Sequence, residues 1–382
     1  MIKFLPYGKQ FIDQDDIESV VNILKSDFIT QGPKIGEFEK KLAEYCGSKY
    51  AVAFNSGTSA LHGAYFAFGL KKGDEVITSP NTFVATSNAA LYLNANPVFA
   101  DVEKETGNLD ISKVKAKITD QTKLIVPVHY SGNPVALKEL SEIAEDNNVK
   151  IIEDAAHSIG AKYNGKKIGN SLYSDMTILS FHPVKHLTTG EGGLVLTNKE
   201  EYYDKLKMFS SHGITKNKFF NEPEGDWYYE MHYLGYNYRI TDIQAALGLS
   251  QLNKLDKFIK RRRKIAKMYN NAFDNNPYFK TITEKECCES SYHLFPILIE
   301  DEFKKNKREL FSNLRNEGLG VQVHYIPVYL QPYYQKLGYK KGLCPVAEDF
   351  YHREISIPMY PTMDDEDVDY VIDKLFKVFE SL

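Results

Sequence analysis

At 382 residues the chain exceeds one ordinary domain, and 43% apolar content is enough for a sizeable core, so a large domain with a smaller companion is expected. A formal net charge of -4 gives no global attraction to nucleic acid or to an anionic membrane. Cys46, Cys287, Cys288 and Cys344 show neither framework spacing nor paired CxxC units, which argues against a disulfide scaffold or a metal site and suits reduced thiols in the cytoplasm.

The opening "MIKFLPYGKQF" has no apolar stretch behind a basic end, and nowhere do eighteen apolar residues run together, so neither an export signal nor a membrane span is expected. Short β-rich runs then alternate with helical patterns: "YAVAFN", "EVITS", "NPVFADV", "KLIVPVHY", "VKIIEDAA", "MTILSFH" and "GLVLTN". Between them lie helical candidates such as "SALHGAYFAFGL" and "VALKELSEIAEDNN". That rhythm predicts an α/β fold with a mainly parallel sheet, its strands apolar throughout because both faces are covered. The helices of "TDIQAALGLSQLNKLDKF" lead from a large domain, residues 1–250, into a smaller mixed one, residues 251–382. In the basic run "KFIKRRRKIAK", Lys257 to Lys267, the charges read as one solvated face of a long helix. Leu252, Leu255, Ile259 and Met268 recur there at helical spacing.

Four segments carry candidate chemistry, at or near strand ends, where open parallel sheets gather ligands. "YAVAFN" runs into "SGTSAL", a strand, a turn and a helix start. Gly57 there permits close backbone approach, and Thr58 and Ser59 offer hydroxyls and amides to a phosphate. "VKIIEDAAHS" sets Glu153 and Asp154 after a buried strand, where an acid either caps a helix or holds a protonated ring nitrogen. Phe83, in "SPNTFVATSNAAL", could stack on a flat cofactor or simply pack. "SFHPVKHLTTGEGG" supplies Ser180 and Lys185, and a lysine amine there can form an imine with a carbonyl compound. Phosphate turn, ring-nitrogen acid, stacking ring and lysine together describe one cofactor, pyridoxal 5'-phosphate (PLP).

"NSGTSAL", "EDAAHSIG", "SFHPVKHLTTGEGG" and "LGYNYRITDIQAALGLSQL" resemble the successive signatures of the DegT/DnrJ/EryC1/StrS aminotransferases, which act on nucleotide-linked keto sugars. The wording "FHPVKHLTTGEGG" with "HYIPVYLQPYY" is most similar to the C4-aminotransferases of pseudaminic acid biosynthesis. The resemblance implies a fold-type I PLP-dependent transferase. That fold has a mainly parallel seven-stranded sheet with helices on both faces and a smaller α+β C-terminal domain, usually assembled as a homodimer. It assigns Lys185 to the imine, Asp154 to the pyridine nitrogen, and Gly57, Thr58, Ser59 and Ser180 to the phosphate. Phe83 takes the stacking position, His157 lies near the ring oxygen, and Asn237 reaches the phosphate from the neighbouring subunit with Arg239 close by. Tyr7, Phe28, Ile29, Thr30, Arg239, His324 and Tyr325 fall in segments that line the sugar-nucleotide site. Tyr329 stands where many relatives have histidine, so no sugar contact is carried over to it.

The implied reaction moves an amino group from an amino acid, glutamate, through pyridoxamine phosphate to the C4 ketone of a UDP-linked 4-keto-6-deoxy sugar. The product would feed a bacterial surface or flagellin glycan. Two other readings are a related sugar dehydratase, which typically has histidine at the lysine position, and a non-catalytic binding protein of the same fold. Lys185 argues against the first, and the joint presence of Lys185, Asp154 and the phosphate turn against the second.

Overall fold

The computed structural model describes residues 3–381. All seven apolar runs are strands of one sheet: β1 Tyr50–Phe54, β2 Glu75–Thr78, β3 Asn96–Phe99, β4 Thr122–Val126, β5 Lys150–Asp154, β6 Met176–Ser180 and β7 Gly193–Thr197. Across the sheet they stand in the order β1-β7-β6-β5-β4-β2-β3. Neighbours from β6 to β3 pair in parallel, while β7 runs antiparallel between β1 and β6. Alternation along β7 shows why the run reads as apolar throughout. Leu194 and Leu196 enter the core on one face of the sheet and Val195 the core on the other.

Helices α1 Gln14–Leu24, α2 Pro33–Cys46, α3 Gly57–Phe68, α4 Ala85–Tyr92, α5 Leu137–Asp146, α6 Glu200–Phe209 and α7 Asp242–Leu252 belong to the large part of the chain. On one face Phe38 and Leu42 of α2 pack with Leu179, Phe181 and Ala245. On the other, Leu61 and Tyr65 of α3 pack with Ile152, Ile178 and Leu206. α3 is buried nearly all round, as a helix with so little polar surface should be.

A second core forms around an antiparallel sheet, β8 Phe279–Thr281, β9 Phe295–Ile299 and β10 Glu354–Ile357, in the order β8-β9-β10. Helices α8 Leu255–Ala272, α9 Lys307–Asn316, α10 Pro345–Arg353 and α11 Asp365–Glu380 accompany it. α8 crosses from one core to the other: Leu255 and Ile259 join the first, and Ile265, Ala266 and Tyr269 the second. Leu5 also joins the second core, where Leu5–Pro6 pairs in parallel with Leu319–Gly320.

The basic run on α8 departs from a simple solvated face. Its lysines are exposed, but Arg262 is 1% exposed, and its Nη1 donates to the carbonyls of Tyr292 (3.1 Å), His293 (3.2 Å) and Met359 (2.8 Å). Arg261 donates to the Met363 carbonyl and to Asp365, and Arg263 to the Ser290 carbonyl and Glu284. A planar guanidinium can satisfy several carbonyls left over where loops meet, which an ammonium on a flexible stem does poorly. Burial pushes the Arg262 pKa down to about 9. Among the described residues no helix is long and apolar enough to cross a membrane.

Candidate active site

Beyond the end of β1 the chain turns directly into α3. Ser56 caps the helix by accepting the Ser59 amide at 3.1 Å, and the Ser56 amide donates back to Ser59 Oγ at 3.0 Å. The Ser59 hydroxyl also donates to Asn55 Oδ1 at 2.7 Å, so of the expected phosphate hydroxyls this one is already engaged by the cap. Thr58 and Ser180 keep theirs free for a ligand among the described residues. The turn presses on the ends of β6 and β7. A Cβ on Gly57 would stand 3.1 Å from Ser180 Cβ, and one on Gly193 would stand 2.3 Å from the Ser56 carbonyl oxygen.

At the end of β5 the two neighbouring acids separate, because successive side chains on a strand face opposite ways. Glu153 forms a buried structural pair with His129. The Val135 amide donates to His129 Nδ1, which leaves Nε2–H to donate to Glu153 Oε2 at 2.7 Å. Asp154 takes the Thr86 hydroxyl on Oδ2 at 2.7 Å and the Ala156 amide on Oδ1 at 3.2 Å. No helix begins there, so the capping alternative does not describe it. Thr86 is bonded in turn to Thr82 at 2.8 Å, and between them Phe83 presents a ring that is 60% exposed.

Lys185 lies in the loop 181–192, which joins the antiparallel neighbours β6 and β7. Its Nζ is 3.5 Å from His293 Nε2. Burial pushes the Lys185 pKa down to about 8, with the charge of Asp154 opposing the shift. Aromatic rings surround the amine. His157 lies 4.4 Å from His293 between centroids, His186 lies 5.4 Å from His293, and the Tyr325 hydroxyl meets His157 Nε2 at 3.1 Å. His324 packs between Tyr7 (5.3 Å) and Tyr325 (4.9 Å). Burial first, then the Lys185 charge, holds His324 down to about 3 and His157 and His293 well below the usual imidazole value. These rings are neutral at pH 7, and the buried Nδ1 atoms of His157, His186 and His293 have no partner among the described residues.

The chain thus brings Lys185, Asp154, His157, Tyr7, His324 and Tyr325 into one constellation and sets the Gly57 turn beside Ser180. Phe83 joins its edge, 6.5 Å from the Tyr325 ring. His293 was not singled out in the sequence. Its run "SYHLFPILI" reads only as a strand, and no local pattern ties it to Lys185. Phe28, Ile29 and Thr30 lie exposed along the start of α7, where the Asp242 amide donates to the Ile29 carbonyl; no hydrogen bond or ring contact joins them to the lysine cluster. Asn237 is exposed, and its carbonyl accepts from Asn55 Nδ2 at 3.4 Å, beside this chain's own turn into α3. Arg239 Nη1 donates to Ser211 Oγ at 3.0 Å. Tyr329 is fully buried, with its hydroxyl donating to Glu348 at 2.6 Å and its ring against Phe99, so it packs rather than reaching the site.

These residues fit a phosphorylated pyridine aldehyde. Helix-start amides and two free hydroxyls suit a phosphate, and each Asp154 oxygen keeps a lone pair for a ring N–H. Partnerless ring nitrogens in the lysine cluster suit the polar substituents of such a ring.

The sequence matches the DegT/DnrJ/EryC1/StrS aminotransferase family over residues 10–376. It is 43% identical over 381 residues to the UDP-4-amino-4,6-dideoxy-N-acetyl-beta-L-altrosamine transaminase of Campylobacter jejuni, covering 99% of this chain and 98% of that one. The structure is similar to Helicobacter pylori PseC, an aminotransferase involved in the biosynthesis of pseudoaminic acid, with a TM-score of 0.94, 36% identity and 100% of both chains covered. It is similar also to the PLP-form of Spr1654 from Streptococcus pneumoniae, with a TM-score of 0.93, 30% identity and 99% of both chains covered. The chain belongs to the DegT/DnrJ/EryC1/StrS aminotransferase family.

Proposed function

We propose that the chain is a PLP-dependent transaminase that takes an amino group from glutamate and delivers it to the C4 ketone of a UDP-linked 4-keto-6-deoxy sugar, for a pseudaminic acid or related glycan. The observation that carries this reading is the Lys185 amine, half-buried among neutral rings, with its pKa drawn down to about 8 and the Asp154 carboxylate as its counter-charge. Bound PLP supplies an electrophilic carbonyl carbon and an electron-accepting ring.

Thr58, Ser180 and the amides at the start of α3 would hold the phosphate, and Phe83 would offer its ring for stacking. Asp154 accepts a hydrogen bond from the ring nitrogen and keeps a proton there. His157 Nδ1 lies free for the ring oxygen. Lys185 Nζ has a basicity close to working pH, so it can take a proton from carbon and return one, in both half-reactions. Storage of the amino group as pyridoxamine phosphate belongs to the same reading. Tyr7, His324 and Tyr325 face the sugar.

The active unit is proposed to be a homodimer in which Asn237, and with it Phe28, Ile29, Thr30 and Arg239, serve the neighbour's site. Phe220 (85%), Leu234 (80%) and Trp227 (75%) expose large apolar side chains in the segment before Asn237, a surface that a second copy would cover. Candidate UDP-keto sugars incubated with glutamate and scored by mass for the amino product test the substrate. Absence of product from every UDP-4-keto-6-deoxy sugar would refute it.

A further inference from the structure

Where β10 begins, a carboxylate is sealed from solvent. Glu354 is fully buried, and its Oε2 accepts the backbone N–H of His324 at 2.7 Å. Its Oε1 stands 2.5 Å from Ser356 Oγ, and that oxygen stands 2.9 Å from His324 Nδ1. Glu354 and Ser356 are two residues apart on one strand and so share a face. The bridge between Gln322 and Ser356 lays the His324 segment alongside them. The Tyr130 hydroxyl donates to the His324 carbonyl at 2.7 Å. His324 is therefore held at its amide, its carbonyl and Nδ1, and Nε2 is the ring nitrogen left for a ligand.

The link from Oε1 through Oγ to Nδ1 can run in two directions. Oε2 is an acceptor in either case, because its partner is a backbone N–H, and Ser356 has a single hydroxyl hydrogen to give. With Glu354 ionised, that hydrogen goes to Oε1, Oγ accepts from Nδ1–H, and Nε2 is a bare lone pair. With a proton on Oε1, the carboxyl donates to Oγ, the hydroxyl donates to Nδ1, and the proton of the neutral ring moves to Nε2.

We propose that Glu354, acting through Ser356, is a positioning residue that decides whether His324 offers the substrate an acceptor or a donor, and that the ionised carboxylate makes it an acceptor for a hydroxyl or amide hydrogen of the sugar. The last clause rests on the sugar reading above; the link itself does not. The groups that face Glu354 are Lys307 from α9, Tyr130 from the turn after β4, and His324 with Tyr325. Neighbouring Arg353 points away, to Asp349 and Asp301. Burial pushes Glu354 up to about 7 against the pull of Lys307, so both directions of the link are accessible near neutral pH.

Glu354→Gln gives a test with a sign. The amide oxygen must still accept from the His324 N–H, which turns the NH2 toward Ser356 and forces the protonated direction at every pH. Ring nitrogen spectra of histidine-labelled, ligand-free protein at pH 8.5, with His324 assigned by its loss in His324→Gln, are expected to show Nδ1–H in the parent and Nε2–H in Glu354→Gln. Should Glu354→Gln not fold, Ser356→Thr is expected to keep the Nδ1–H form and Ser356→Ala to lose it. An unchanged tautomer in Glu354→Gln, or in Ser356→Ala, overturns the proposal. With a turned-over keto sugar, Glu354→Gln should raise its KM about tenfold, one hydrogen bond's worth, while the half-reaction with glutamate keeps its rate. A reversed tautomer with unchanged KM also overturns it. If the parent aminates no keto sugar, the substrate reading fails while the spectra still decide the link.

Discussion

Lys185 and His293 meet at 3.5 Å, Nζ to Nε2, across 108 positions of sequence. Around that contact lie rings that are neutral at pH 7, and the charge of Asp154 is what favours the protonated amine. Desolvation is the larger influence, and it lowers the Lys185 pKa from 10.5 to about 8. The unfolded chain then binds more protons than the folded one between pH 8 and 10.5, so stability from this group rises with pH in that window and its cost is complete below pH 8. Replacement by Met should raise the unfolding free energy of the cofactor-free protein at pH 7, measured by urea denaturation, by no more than about 3 kcal/mol, and the gain should shrink by pH 10. A gain independent of pH would show that the charge is not desolvated. The same variant should have no transaminase turnover.

Asp154→Asn tests the carboxylate without disturbing its cradle. The amide oxygen can still accept from Thr86 or Ala156, so the unfolding free energy should change by about 1 kcal/mol or less. Turnover should fall by orders of magnitude, because an amide cannot keep the ring nitrogen of the cofactor protonated. Kinetics equal to the parent's would return Asp154 to a structural role.

Arg262 offers a prediction about stability. Arg262→Leu strands three carbonyls, those of Tyr292, His293 and Met359, in a buried junction. A loss of about 3 kcal/mol is expected by chemical denaturation, and Arg262→Lys should recover only part of it, since an ammonium cannot serve three oxygens from the same stem. A loss below about 1 kcal/mol would mean that water replaces the guanidinium.

Subunit sharing is tested by mixing. Lys185→Ala and Asn237→Ala chains, each inactive alone, should regain activity on exchange if Asn237 serves the neighbour's site, because one site of the mixed dimer then carries both lesions and the other none. The bond from Asn55 to the Asn237 carbonyl makes the opposite result concrete. If Asn237 serves its own chain's turn, each site of the mixed dimer keeps one lesion and the mixture stays inactive.

The sheet was legible because a strand buried on both faces must be apolar at every position, and seven such runs stand out against charged helices. Asp154 was legible as a candidate because it ends such a run with a charge, and Lys185 because it stands in the turn between two of them. Arg262 was not, since a helical period tells which side of α8 faces inward only roughly, and three adjacent arginines look alike until loops from Tyr292 and Met359 close on one of them. The links from Lys185 to His293 and from Glu354 to His324 join segments far apart in the chain, and nothing local marks His293 or Glu354. Tyr329 stood out only as a departure from a pattern; its burial against Phe99 explains why a large ring is accommodated there.

The sole antiparallel strand of the sheet has a mechanical consequence. Because β7 returns beside β6, Ser180 pairs with Gly193, and those two residues are also the ones against which the turn Ser56–Gly57 is pressed. The loop that carries the Lys185 amine and the turn that opens α3 therefore grow from a single corner of the framework. A ligand that touched both would bridge two parts of one rigidly hydrogen-bonded corner. His324, by contrast, is held by Glu354 and Ser356 of β10, so its position is set by a separate sheet.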